Sequence, residues 1–383
     1  MKIPLAWLQL SREKIKLLVA IAGIGFADLL MFMQLGFKSA LLQSAVTVHE
    51  QIEGDVFLLS PQSDALISMK SFSSRRLQQS LGVKGVESIN YINIGFAIWK
   101  NPENQSTRQI MVIGFNPKEQ LFKLPEVQEN LAQLRLSDVV LFDDKSRPEF
   151  GPIPEWFNSG KTVQAEINER EVSVRGLFSI GSSFGADGNL ITSDLNFLRI
   201  FPNRDSNLID MGIIRLEEGV NYQAVINALR QRFDQGDVVV LSREEFVAYE
   251  REYWENSTAI GFIFNLGALM GLIVGVVIVY QILYTDVADH LPEYATLKAM
   301  GYTNNYLLRL VFQQAFILAC VGFIPGMGVS MLLYDAAAGA TGLPIQMTIS
   351  LASQVYILTL GMCFVSGAIA VNKLKSADPA DIF

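Results

Sequence analysis

The sequence predicts an α-helical membrane protein with four transmembrane helices and one large α+β domain outside the cytoplasm. Half of the 383 residues are hydrophobic, only 18% are charged, and the mean hydropathy is +0.29, more apolar than a water-soluble chain of this length usually is. The apolar residues are concentrated, because no Asp, Glu, Lys or Arg occurs in 258–285, 310–334 or 336–372. The segment 38–257, by contrast, mixes charged residues with short strand and helix patterns.

A bilayer core of about 30 Å needs roughly 20 apolar residues as helix. That length places spans at 258–284, 306–334 and 349–371. A further span at 17–37 follows the basic stretch Arg12, Lys14 and Lys16 and holds one charge, Asp28. Its length exceeds the roughly 7–15 residues of a signal-peptide core, so it is expected to stay as a helix, a cleaved leader being the other reading. Lys and Arg near span ends mark the cytoplasmic side. Lys2, Arg12, Lys14 and Lys16 precede the first span, Lys298 and Arg309 lie in the loop leading into the third, Lys373 and Lys375 follow the fourth, and 336–348 has none. The expectation is a multi-pass protein of the cell inner (plasma) membrane with both termini cytoplasmic. Segments 1–16, 285–305 and 372–383 then lie inside, and 38–257 lies outside.

Residues 38–257 hold 30 acidic and 22 basic side chains, so the net charge of −8 belongs to that segment. It has no basic face for nucleic acid. Strands are expected at 55–59, 86–99, 109–115, 211–216 and 237–241, with helices at 73–81 and 222–233. Together they form two split βαβ halves in one lobe, 38–135 and 211–257. Between them, 136–210 reads as strand only: 138–142, a hairpin of 162–167 and 171–178 turning at 168–170, and 189–192. The loop Gly181-Ser182-Ser183-Phe184-Gly185-Ala186-Asp187-Gly188 reads as a docking tip or plain surface loop more readily than as an anion cradle. A charged helix at 244–255, with Phe246, Tyr249, Tyr253 and Trp254, is expected to run directly into the second span, as a stiff stalk, an interfacial aromatic anchor, or both.

Catalytic chemistry is thinly supplied. The two histidines, His49 and His290, fall on opposite sides of the membrane, and Cys320 and Cys363 lie in spans, so no zinc cluster or triad assembles. There is no Walker A pattern; 176–182 lacks the lysine that reaches the phosphates. The reading is therefore not an enzyme, with no cofactor in this chain. Asp28 at membrane depth is a functional candidate by default, pairing across a dimer or lining a cleft, or else it is a hydrogen-bonded group inside the bundle. Gly267, Gly271 and Gly275 repeat every four residues and make a helix-packing face, as do Gly322 and Gly326, either within one subunit or across a dimer. In 285–305, Pro292 and Glu293 suit a helix start, and Lys298 with Gly301 suits its close. Tyr294, Leu297 and Met300 share a face, which suits docking of a soluble subunit; an ordinary helical linker is the alternative.

The order of parts, with Glu293-Tyr294-Ala295-Thr296-Leu297-Lys298-Ala299-Met300-Gly301 between the second and third spans and Asp378-Pro379-Ala380 in the tail, resembles the MacB/FtsX-type ABC permeases. Residues 280–291, the 184–188 loop and the tail 377–383 look like the cyanobacterial DevC type, the permease of a heterocyst glycolipid exporter. The resemblance implies a homodimer with a separate ABC ATPase carrying ATP and Mg. It also implies a porter-like lobe (38–135 and 211–257) with a sabre-like insertion (136–210), a periplasmic membrane-fusion adaptor, a TolC-like outer-membrane protein and contact with membrane lipid. Glu293, Tyr294, Leu297, Lys298 and Met300 would then dock the ATPase, Phe184, Gly185, Ala186, Asp187 and Gly188 would face the adaptor, and the cargo would be glycolipid-like or otherwise hydrophobic. Two other readings within the resemblance are a lipoprotein-releasing permease of LolC/LolE type and an FtsX-like signalling protein that controls a cell-wall hydrolase.

Overall fold

The computed structural model describes residues 5–233 and 236–375. The tail motif 378–380 lies outside the described residues. In chain order the elements are α1 (Leu5–Arg12), α2 (Lys14–Gln51), β1 (Val56–Leu59), β2 (Phe72–Ser73), α3 (Ser74–Ser80), β3 (Val86–Lys100), β4 (Thr107–Phe115), α4 (Pro125–Glu129) and α5 (Leu131–Leu134). There follow β5 (Val139–Asp143), α6 (Ile153–Asn158), β6 (Val163–Ile167), β7 (Arg170–Phe178), β8 (Asn189–Ser193), α7 (Asp194–Ile200), β9 (Leu208–Ile209), β10 (Met211–Leu216), α8 (Tyr222–Arg232) and β11 (Val239–Ser242). The chain continues with α9 (Arg243–Glu252), α10 (Ala259–Asp289), α11 (Leu291–Ala299), α12 (Asn304–Thr341) and α13 (Ile349–Lys375). Two compact units result: a membrane unit of residues up to 40 with 259–341 and those from 345, and a domain of 41–258 with 342–344.

In the membrane unit α2, α10, α12 and α13 are long and apolar enough to cross a bilayer. They outrun the charge-free windows that predicted them. Helix α2 continues from the predicted end at 37 to Gln51, because 38–51 contains no Gly or Pro to stop it. Pro325 sits inside α12 without ending it, as membrane helices tolerate. The glycine faces are seams inside one subunit. A Cβ on Gly267 would strike the Gln34 side chain, one on Gly271 would lie 3.2 Å from Met31 Cγ, and one on Gly275 would meet Met362 and stand 2.9 Å from Ala27 Cβ. Gly322 and Gly326 admit Ile24 and the backbone of Gly25 in the same way. Close backbone approach is what small residues give a membrane bundle.

The domain carries a nine-stranded sheet in the order β11-β1-β10-β3-β4-β8-β5-β7-β6. Its first four strands are antiparallel, and with α3 and α8 they form the two split βαβ halves expected from the sequence. Leu77 of α3 and Val225, Ile226 and Leu229 of α8 pack on Val56, Leu58 and Ile214 of that sheet. At the far end β3 also pairs with β6, Trp99 opposite Ile167, so β3, β4, β8, β5, β7 and β6 close into a ring around Trp99, Val112, Phe142, Val174 and Leu190. The β-rich lobe is therefore not made by 136–210 alone. The 15-residue β3 serves both lobes: its start pairs with β10, and its end with β4 and β6.

The strand-only reading of 136–210 is corrected by α6 and α7. Their six and seven residues are too few for a 3.6-residue period to stand out. Ser193 caps α7 by accepting a hydrogen bond from the Asn196 backbone N–H at 3.2 Å, and Pro152 and Pro154 sit at the start of α6. The expected hairpin is a two-residue turn between Ile167 and Arg170, with Asn168 (φ 48°) and Glu169 (φ 65°) both left-handed, as a type I′ turn requires.

Candidate functional site: the 285–305 loop, the stalk and the glycine-rich loop

Helix α11 separates two spans and is stopped by its own sequence. Gly301 adopts φ 94°, and the Tyr302 N–H donates to the Leu297 carbonyl at 3.1 Å, a glycine C-cap that L-residues reach only with strain. The predicted apolar face divides. Tyr294 is 1% exposed and packs with Ala6, Val287, Leu310, Val311 and Val371, with Leu297 partly buried beside it. Met300 is 64% exposed, and Glu293 is exposed too. The Lys298 side chain lies outside the described residues. Burial, then the neighbouring Asp286 and Glu293 carboxylates, push the Tyr294 phenol above its ordinary value. It is a neutral anchor under the helix.

Beneath α11 lies a buried polar network that sequence reasoning missed. Gln314 donates to Asp286 Oδ2 at 2.9 Å and to Gln9 Oε1 at 3.2 Å, and Gln9 donates to Glu293 at 3.4 Å. His290 Nδ1 stands 2.9 Å from the Asp286 carbonyl, and Lys16 bridges Glu13 and Asp289. A glutamine on α1 and one in the apolar run of α12 were the available signal. The N-terminal segment is thereby a helix fastened to the start of α11.

Asp28 is fully buried and accepts a hydrogen bond from Thr359 Oγ1 at 2.6 Å, while its Oδ2 has no partner among the described residues. The pairing lies inside the bundle. Among the described residues no group of three His, Cys, Asp or Glu could hold a metal.

The 181–188 loop is held at both ends. Asp143 accepts from the Ile180 and Gly181 N–H groups and from Asn189 Nδ2 at 3.1, 2.8 and 2.7 Å, and burial raises its pKa. Asp187 lies 2.9 Å from both Arg108 and Arg147, Ala186 is buried, and Gly185 abuts Ile67. Phe184, 53% exposed, meets Trp254 edge-on at 5.2 Å. The loop thus packs on the stalk through Trp254, five residues before α10 begins.

The stalk differs from the expectation. It does not run straight into the second span: α9 gives way to a wide π turn over Tyr253–Ser257, and Thr258 is extended (φ −113°, ψ 162°). A reciprocal capping box starts α9, with Ser242 Oγ accepting from the Glu245 N–H and Glu245 accepting from the Ser242 N–H.

Four membrane-crossing helices with one mixed α/β domain and a capped helix between two spans define the class: a polytopic membrane protein built around an extramembrane domain. Residues 265–379, less than a third of the chain, match the family described as FtsX-like permease C-terminal. That match covers α11 and most of three spans. Among curated proteins no relative matches. Solved structures similar to this chain include the periplasmic region of MacB from Actinobacillus actinomycetemcomitans (11% identity, 56% of this chain and 99% of that one, TM-score 0.35). Others are the extracellular domain of the noncanonic ABC-type transporter YknZ from Gram-positive bacteria (14%, 50% and 100%, 0.33) and a domain of a putative permease protein from Porphyromonas gingivalis (16%, 50% and 88%, 0.30). The fold of the domain rests on its own strands and helices, not on these likenesses.

Proposed function

We propose that this chain is the permease subunit of an ABC exporter, working with a separate ATPase that docks on α11. The observation that carries the reading is a short helix, capped at its end by Gly301 and anchored from beneath by Tyr294, that offers Glu293 and Met300 outward within the FtsX-like region. ATP and Mg belong to the partner. The domain lies outside the cytoplasm and answers the ATPase cycle by changing shape, passing a glycolipid-like or other hydrophobic cargo to a membrane-fusion adaptor and a TolC-like duct. A homodimer brings two ATPases together.

The test is the variant pair Glu293→Lys and Met300→Glu in one chain, both at exposed positions, purified from membranes in detergent. The parent is expected to carry an ABC ATPase identified by mass spectrometry, and the variant to lose it while keeping its thermal midpoint. Retention of the ATPase by the variant refutes docking on α11. Co-purification of a cell-wall hydrolase, with no adaptor, refutes export.

A further inference from the structure

We propose that Glu250 is the hub of a buried clasp that makes the end of α2 and the stalk α9 move as one lever. All of its parts lie within the domain. The Glu250 and His49 side chains are each 3% exposed and approach to 3.3 Å. Glu250 Oε2 also accepts the Leu66 N–H at 2.8 Å, and Oε1 accepts Trp254 Nε1–H at 2.7 Å. One carboxylate therefore joins α2, the 66–68 turn and the π turn that precedes α10. Phe184 rests on Trp254, so the glycine-rich loop is carried by the same hub.

A second fastener works one helical end away. Arg243, the first residue of α9, donates through Nη1 to the carbonyls of Ile52 and Gly54 at 2.7 and 3.3 Å, and through Nη2 to that of Glu50 at 3.1 Å. Glu50 lies in the last turn of α2 and Ile52 and Gly54 follow its end at Gln51, where a cation is favoured by the helix dipole. Between the two fasteners Phe246 stacks on Phe57 at 4.1 Å and packs on His49 at 4.5 Å. A buried polar cluster adds little net stability over an apolar filling, but taking one member away leaves its partners buried and unpaired, which is costly. That asymmetry suits a joint that must not slip. The inference rests on the permease reading for its purpose, since α2 is continuous with a membrane span and α9 leads into another.

The experiment places spin labels at the exposed Gln43 of α2 and Arg251 of α9 in the full chain, purified with its ATPase in lipid nanodiscs, and measures their separation with and without ATP. The parent is expected to give one narrow distance that ATP leaves unchanged. Glu250→Ala is expected to give a distribution at least twice as wide that shifts with ATP, while ATP hydrolysis stays within twofold of the parent. His49→Phe keeps the ring on Phe246, removes one partner only, and should broaden the distribution less. A parent distance that itself moves with ATP overturns the clasp, as does a Glu250→Ala distribution equal to the parent's. If no ATPase is retained, docking on α11 fails on its own, and hydrogen exchange of the chain alone decides the clasp. Glu250→Ala, or His49→Phe if the alanine variant does not fold, should then speed exchange about tenfold in both 41–51 and 243–252 and leave β4 unchanged. A change in only one segment, or in neither, overturns it.

Discussion

Replacing Gly275 tests whether the glycine seam belongs to one subunit. Two opposing effects set the outcome. Glycine inside a helix costs about 0.8–1.0 kcal/mol relative to alanine, so Gly→Ala stabilises wherever space exists. Forcing methyl groups into a filled contact costs about 1–3 kcal/mol. At Gly271 the new Cβ would sit 3.2 Å from Met31 Cγ and 3.3 Å from Leu30 Cβ, a squeeze that flexible Met31 can relieve, and the two effects nearly cancel. At Gly275 it would stand 2.9 Å from Ala27 Cβ and closer still to Met362 Sδ. Ala27 sits fully buried on a helix and has no rotamer to change. Gly275→Ala is therefore expected to lose up to about 2 kcal/mol net, and Gly275→Leu more than that. The assay is thermal unfolding in detergent, followed by intrinsic fluorescence, with particle mass from light scattering. The ranking Gly271→Ala, Gly275→Ala, Gly275→Leu in falling stability, at constant assembly mass, is the expected result. An unchanged midpoint for Gly275→Leu together with a smaller assembly would put the seam between copies and refute the reasoning.

Thr359→Val removes the hydroxyl that donates to Asp28 and should cost about 1–3 kcal/mol. Asp28→Leu should then recover part of the loss in a double-mutant cycle. Additive losses, or a folded Asp28→Leu chain that retains its ATPase yet fails to transport, would make Asp28 functional rather than structural. Ser242→Ala strips the α9 capping box and should cost about 1 kcal/mol, seen as faster amide exchange at 243–246. Unchanged exchange there would mean the cap adds nothing. Asp138 is held below the ordinary carboxylate range first by its hydrogen bond to Arg170. A depressed carboxylate stabilises the fold above its unfolded pKa and loses that contribution as pH falls through the folded value. For this partly exposed pair the effect is under about 1 kcal/mol. Asp138→Asn should therefore be slightly less stable than the parent at neutral pH and converge with it below about pH 4; a gap that persists in acid would show that Asp138 acts through something other than its charge.

The membrane spans were legible because charge exclusion is a property of the residues themselves. Their ends were less so: 38–51 alternates small, apolar and polar side chains, and composition does not show that a helix persists once the bilayer no longer demands it. The two βαβ halves could be read from the periodicities of 55–59, 73–81, 211–216 and 222–233. The closing of the ring could not, since it depends on Trp99 meeting Ile167, a pairing between residues far apart in sequence. The α11 boundaries were written in Pro292 and Gly301, yet the inward turn of Tyr294 was not. A tyrosine at helical spacing from Leu297 and Met300 looks like part of one outward face until α12 and α13 supply Leu310, Val311 and Val371 to cover it. The neighbour of the 181–188 loop was hidden in the same manner. Glycine density signals a turn, whereas the contact of Phe184 with Trp254 is tertiary.

On the proposed permease reading, the same distinction decides what a sequence can show of such a subunit. A subunit that reacts must gather reactive groups, and sequence shows them as His, Cys and acidic clusters. A subunit that transmits needs joints whose stiffness differs along the chain, and those are made from ordinary residues. Here the rigid parts are identifiable: α11 held by Tyr294, the end of α2 held by Arg243, and α9 held by Glu250. Past Trp254, which Glu250 still holds, the α-helical ladder is interrupted: the π turn over Tyr253–Ser257 ends in the extended Thr258. A helix kept straight there would carry rotation and tilt alike, whereas a break just beyond the clasp gives motion a place to be taken up while Glu250 keeps α9 tied to α2. Deleting one residue from the π turn, which would restore α-helical phase between α9 and α10, should therefore uncouple ATP hydrolysis from the domain while leaving the ATPase bound. Full coupling in such a deletion would mean that the break carries no motion and that α2 alone drives the domain.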